Sequence, residues 1–124
     1  MAKIDEMMDT AEQMEEKLES KRETLLKKAE CVTVKLSKPY EHTGVTYSEI
    51  KMDFSSLTGV QFEAIDDELI ATGAIIVSPQ ASRRYQKLLA AKAAGIPSDV
   101  IETLNARDYL AVVNAAKLFL QLTA

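Results

Sequence analysis

No glycine or proline occurs in the first thirty residues, and the first proline and glycine of the chain are Pro39 and Gly44. Within those thirty stand nine acids (Asp5, Glu6, Asp9, Glu12, Glu15, Glu16, Glu19, Glu23, Glu30) and six bases (Lys3, Lys17, Lys21, Arg22, Lys27, Lys28). Such a stretch has helix composition and too few large apolar residues to fold as a body of its own. Ile4, Met7, Ala11, Met14, Leu18 and Leu25 recur at intervals of three and four, apart from the gap between Leu18 and Leu25. This is a heptad-like seam, which Lys21 and Lys28 interrupt. The segment therefore reads as a charged helical arm over 1–30. Its solvated reading stands beside a sharper one, a docking helix in which the flexible Met7, Met8 and Met14, with Leu18, adapt to a partner.

From Cys31 the period changes to two. Val32, Val34 and Leu36 alternate with Thr33, Lys35 and Ser37, as in a half-buried strand. Pro39 to Gly44 supplies turn chemistry, and a second strand runs from Val45 to Phe54. Val45 and Tyr47 lie on one phase and Ile50, Met52 and Phe54 on the other, which predicts a bulge near Ser48-Glu49. A lone hairpin over 32–54 is marginal in water, so it must pack on helices or on another copy's sheet.

Helices should fill the remainder. Thr58-Gly59-Val60-Gln61 has capping-box spacing and opens a helix over 58–71, with Phe62, Ile65, Leu69 and Ile70 on one face. Ser78-Pro79 reads as a cap and first helical position for a helix over 79–94, which Gly95-Ile96-Pro97 stops. Asp99 to Glu102 repeats the capping spacing for a short helix over 98–104, and Asn105 to Asp108 starts the last, over 106–122. In that last helix Asn114, Lys117 and Gln121 share a narrow stripe with Arg107. From Tyr109 to Leu122 everything else is apolar, a wider face than a small core usually needs. The fold class expected is α+β, mainly α: an arm, a hairpin and a bundle of about four helices, with 31–124 as the domain.

At 124 residues the chain is one domain. Its 15 bases against 19 acids give −4; the arm, six against nine, carries −3 and the remainder, nine against ten, −1. No concentrated basic face exists for a phosphate backbone, since Arg83, Arg84 and Lys87 form the one local cluster. Cys31 is the single cysteine, which points to a reducing compartment. The acidic start and the lack of a long apolar run point to a soluble intracellular protein. No phosphate-binding glycine loop, dinucleotide fingerprint, nucleophile elbow or zincin pair is present. His42, expected in the turn, has no nucleophile to serve. Asp66-Asp67-Glu68 diverge by about 100° per residue around a helix, too widely to converge on one ion. No enzyme activity, cofactor or metal is expected.

Val34-Lys35-Leu36-Ser37-Lys38-Pro39 and Tyr40-Glu41-His42-Thr43-Gly44-Val45-Thr46-Tyr47 resemble the opening hairpin of the tail assembly chaperones of contractile-tailed bacteriophages, Mu-like prophages among them. Leu57-Thr58-Gly59 is similar to that family's first helix entry. Ala90-Ala91-Lys92-Ala93-Ala94-Gly95-Ile96-Pro97, followed by Asp99-Val100-Ile101 and Asp108-Tyr109-Leu110, resembles its ending. The likeness spans about residues 32–121, and the first thirty depart from it.

The resemblance implies a late-expressed protein of the bacterial host cytoplasm that coats the helical tape-measure protein and keeps it soluble while tail-tube subunits polymerise, and that is missing from the finished tail. In some relatives a ribosomal frameshift adds a longer product. On this reading the client or a further copy meets grooves lined by Leu88, Leu89, Ile101, Tyr109, Val112, Val113, Leu118, Phe119, Leu120 and Leu122, in an oligomer that pairs hairpin edges. Apart from the resemblance, which does not reach the first thirty residues, Met7, Met14 and Leu18 are the residues expected to dock the arm. Two other expectations stand against it: a structural subunit retained in the tail, and a small nucleic-acid regulator using Arg83, Arg84 and Lys87.

Overall fold

The computed structural model describes residues 2–75 and 78–123, with side chains from residue 11 onward. The fold is α+β and mainly helical. Helix α1 (Ala2–Glu30) runs without a loop into strand β1 (Cys31–His42), which pairs antiparallel with β2 (Val45–Asp53). A 3-10 turn at Phe54–Ser56 leads to α2 (Gly59–Ala71), and a second at Pro79–Ala81 to α3 (Arg83–Ala94). Short α4 (Ser98–Glu102) and long α5 (Ala106–Thr123) complete the chain.

The arm forms one continuous helix because nothing in it breaks the backbone ladder. Every residue from 11 to 25 is exposed, whereas Leu26 and Glu30 are half-buried and Ala29 is only 2% exposed. The last turns of α1 therefore pack on the body, against α5 and β1, and the preceding turns project from it. Met14 and Leu18 lie on the projecting part; Met7 falls outside the described side chains.

The hairpin differs from its sequence reading in two ways. Strand β1 continues through Pro39, Tyr40, Glu41 and His42, so the turn shrinks to Thr43-Gly44. Both turn residues have positive φ, 49° and 80°, the backbone that matches a two-residue hairpin to the twist of its strands. The register irregularity lies at the level of Ser48-Glu49, but the extra residues belong to β1. Pairing runs regularly from Cys31↔Asp53 to Lys35↔Glu49, then resumes at Tyr40↔Tyr47, leaving Leu36 to Pro39 opposite Ser48. Pro39 has no N–H to give a ladder, which favours a break at that place.

Helix starts also shift where side chains compete for the cap. Thr58 caps α2, its backbone N–H donating to Gln61 Oε1 at 2.6 Å. Pro79 opens a 3-10 turn rather than an α-helix, and α3 begins four residues later, where Ser82 Oγ accepts from the Tyr85 N–H at 3.2 Å. Gln86, buried within α3, donates to the Gln80 carbonyl at 2.7 Å and ties the two pieces together. Helix α4 ends at Glu102 and is entered from Pro97, with Asp99 in its first turn rather than at its cap.

The core sits between the hairpin and α2, α3, α4 and α5. Ile50, Met52 and Phe54 from β2 and its exit meet Ile65 and Leu69 of α2, Leu89 and Ala90 of α3, Ile101 of α4, and Val112 and Ala116 of α5. The small residues Ala90, Ala91 and Ala93 let α3 approach its neighbours closely, and α3 packs against β2, α2, α4 and α5.

Candidate interaction surface on the last helix

Helix α5 is held at its start by a buried carboxylate. The Asn105 side-chain oxygen accepts from the Asp108 N–H at 2.9 Å, a cap that satisfies one of the free amides of the first turn. Asp108, 4% exposed, in turn accepts from the Ser37 N–H at 3.1 Å on each oxygen, from the Ser37 hydroxyl at 3.0 Å and from Asn105 Nδ2 at 3.1 Å. Ser37 lies in the stretch of β1 that the register break removes from the ladder, so its N–H has no strand partner. The carboxylate takes that place. A buried charge is tolerable only when bonded in this way, and here the bonds fix α5 to the hairpin.

Beyond the cap, α5 divides its apolar residues between inside and outside. Val112, Val113 and Ala116 are buried. Phe119 stacks on Phe54, with ring centroids 4.9 Å apart and planes 11° from parallel. Leu110 and Leu118 stand 40% and 49% exposed, and Tyr109, Leu120 and Leu122 are half-buried. Beside Leu110 a shallow cleft of about 300 Å³ is lined by Gln80, Ala81, Arg83, Gln86, Asn114 and Lys117, so this edge of the surface is polar.

The residues expected to line a client groove do not share one surface. Leu89, Ile101, Val112 and Val113 belong to the interior, because four neighbouring elements close over α3, α4 and α5 from the hairpin side and from α1 and α2. Leu88 is half-buried and lines a separate cleft of about 480 Å³ with Leu69, Ala71, Thr72, Arg84 and Lys87. What remains outside on α5 is Leu110 and Leu118, with Tyr109, Phe119, Leu120 and Leu122 partly covered. On α1, Met14 and Leu18 are 60% and 64% exposed.

The polar candidates have structural partners. Lys87 pairs with Glu102, and Lys92 with Glu68 at 3.2 Å, so Arg83 and Arg84 are the members of the basic cluster without an ion pair among the described residues. Asp66, Asp67 and Glu68 are exposed, and no group of three or more His, Cys, Asp or Glu among the described residues is placed to hold a metal ion. His42 is not in the turn but at the end of β1. Its ring lies against Tyr40 with centroids 6.1 Å apart, and the Tyr40 hydroxyl donates to Thr103 Oγ1. Cys31 stands at the opposite, open end of the hairpin, paired with Asp53, whereas His42 pairs with Val45, so the length of β2, roughly 27 Å, separates the thiol from the imidazole.

Tyr85, buried in α3, has its phenol pushed above the ordinary 10.0, first by burial and then by the Asp66 carboxylate. No buried side-chain polar atom among the described residues lacks a hydrogen-bond partner. No described helix is long and apolar enough to cross a membrane. Sequence reasoning missed the Ser37–Asp108 link. Its one signal was an acid at the third position of the helix, off the polar stripe of Arg107, Asn114, Lys117 and Gln121 and behind an Asn cap.

Comparisons with protein-family models, with curated proteins and with solved structures found no match.

Proposed function

We propose that this chain is a non-enzymatic tail assembly chaperone, of a phage or a phage-tail-like particle, that holds the tape-measure protein soluble while the tube forms around it and leaves before the tail is complete. The reading rests on the resemblance of residues 32–121 to that family. The observation that carries it on the structural side is the outer face of α5, where Leu110 and Leu118 stay exposed on a helix locked at its start by Asp108. A rigid helix offering spaced leucines is suited to an amphipathic helical client, which would lay its own apolar stripe along it. The half-buried Leu122 lies one turn beyond Leu118 on the same side of the helix. The polar cleft beside Leu110 gives that area a polar edge, as interfaces have around their apolar centres.

Co-expression with the tape-measure protein of the same gene cluster tests the proposal. The client is expected to become soluble and to co-purify with the chain, and a Leu110→Glu/Leu118→Glu double variant that folds normally is expected to lose both effects. A client equally insoluble with and without the chain would end the reading. Mass spectrometry of purified particles separates a chaperone from a retained subunit, because only the latter stays in the tail.

A further inference from the structure

We propose that α1 is a self-association helix, pairing antiparallel with α1 of a second copy of this chain. The face it would use is exposed: Met14, Leu18 and Leu25 lie one above another along the projecting helix, and every residue from 11 to 25 is open to solvent. At the end docked on the body, Ala29 is buried, yet Leu25 and Lys28 on the seam side remain exposed. The body therefore leaves the stripe free along its described length.

Charge identifies the occupant. Residues 2–16 of α1 hold six acids and one base, and residues 17–30 hold five bases and three acids. A helix's own dipole rewards such charges only in its first and last turns, whereas Glu12, Glu15 and Glu16 stand three to four turns in. Two copies laid antiparallel set each acidic half against the other's basic half. Laid parallel, they set acids on acids and put Lys21 and Lys28 against themselves in the apolar layers.

In an antiparallel pair the layers alternate between the two heptad positions of the seam. The register that sets Met14 against the partner's Leu25 also sets Leu18 against the partner's Lys21. Glu15 then flanks the partner's Arg22, whose guanidinium donates one long hydrogen bond, 3.5 Å, to the Leu122 carbonyl of its own chain and carries further N–H groups for a carboxylate, and the symmetry repeats each of these contacts. Lys21, which breaks the apolar seam of a single chain, is placed to lay its stem on Leu18 of the other copy and reach its acids. The inference does not depend on the client reading, since it uses α1 and leaves the outer face of α5 free.

Sedimentation of the full chain over a range of concentrations tests it. The mass is expected to rise from 13.7 kDa toward twice that value, and Leu18→Glu is expected to hold it at 13.7 kDa with unchanged helical circular dichroism. A chain that stays monomeric throughout, or a dimer that survives Leu18→Glu, overturns the proposal.

Orientation is read by cross-linking. In the antiparallel register the two Cys31 thiols lie roughly 35 Å apart, so mild oxidation should leave the dimer uncross-linked; a Cys31–Cys31 disulfide would mean parallel helices and refute it. On a Cys31→Ser background, a mixture of Met14→Cys and Leu25→Cys chains is expected to form the mixed disulfide. Formation of the two like disulfides instead also refutes it.

Discussion

Helices α1 and α5 both carry apolar stripes, and the structure treats them in opposite ways. The broader stripe, on α5, is mostly consumed by the chain's own core: Val112, Val113 and Ala116 are buried and Phe119 lies on Phe54. The narrower one, on α1, stays outside along residues 11–25. Apolar breadth in a sequence thus measures demand for burial and not availability to a partner. What decides availability is anchoring. Helix α5 is bonded to the hairpin at its start and packed against α3 along its length, whereas α1 touches the body only in its last turns.

The largest expected effect tests that division directly. Val112→Asp puts an unpaired charge among residues with no solvent contact, and it is expected to remove cooperative unfolding or cost more than about 4 kcal/mol in urea titration. If the variant unfolds at an unchanged midpoint, α5 is not the inner wall described here.

Next in size is the anchor. Asp108→Ala strips the Ser37 amide and hydroxyl of their acceptor and removes an acid from the first turn of α5, for an expected loss of about 2–3 kcal/mol. Double variants with Ser37→Ala should show less than additive losses, because the two residues share the same bonds. Strict additivity would mean that the helix is held by packing alone.

The pH dependence of the body should be weaker and of definite sign. Because the folded chain raises the Tyr85 phenol above 10.0, the native state keeps a proton that the unfolded chain gives up. This contribution to stability is complete below pH 10 and is lost as pH climbs through the folded value. Tyr85→Phe should flatten the decline above pH 10. A decline as steep in the variant would place its origin in other groups.

Much of the architecture was legible in the sequence, for reasons that separate the readable from the unreadable parts. The absence of glycine and proline over the first thirty residues dictates α1, and the alternation of Val32, Val34 and Leu36 dictates β1, because both signals are local. The hairpin turn was misplaced because Pro39 looks like a turn residue, but a proline inside a register break disturbs no ladder bond. Ser78-Pro79 misled in the same way, since the cap that counts, Ser82, is chosen by its bond to the Tyr85 amide. The candidate surface was the least legible. A helical wheel sets Leu110 within the stripe of Asn114, Lys117 and Gln121 and Val112 opposite it, as observed, but it holds no record of how far the hairpin and α1 close over the flanks between them, at Tyr109, Leu120 and Leu122.

The smallest expected effect completes the contrast between the helices. Leu18→Gln on α1 changes a residue that is 64% exposed and packs on nothing in the body, so the unfolding midpoint of the body should move by less than about 0.5 kcal/mol when measured in dilute solution, where each chain is alone. Leu89→Ala, a truncation in the interior, should cost several times as much, about 2–5 kcal/mol. At high protein concentration the Leu18 variant should fall behind the wild type, because pairing adds stability that grows with the concentration of partner. A concentration-independent loss of a kilocalorie or more would show that α1 already rests on its own body, and the separation between a free helix and a consumed one would fail.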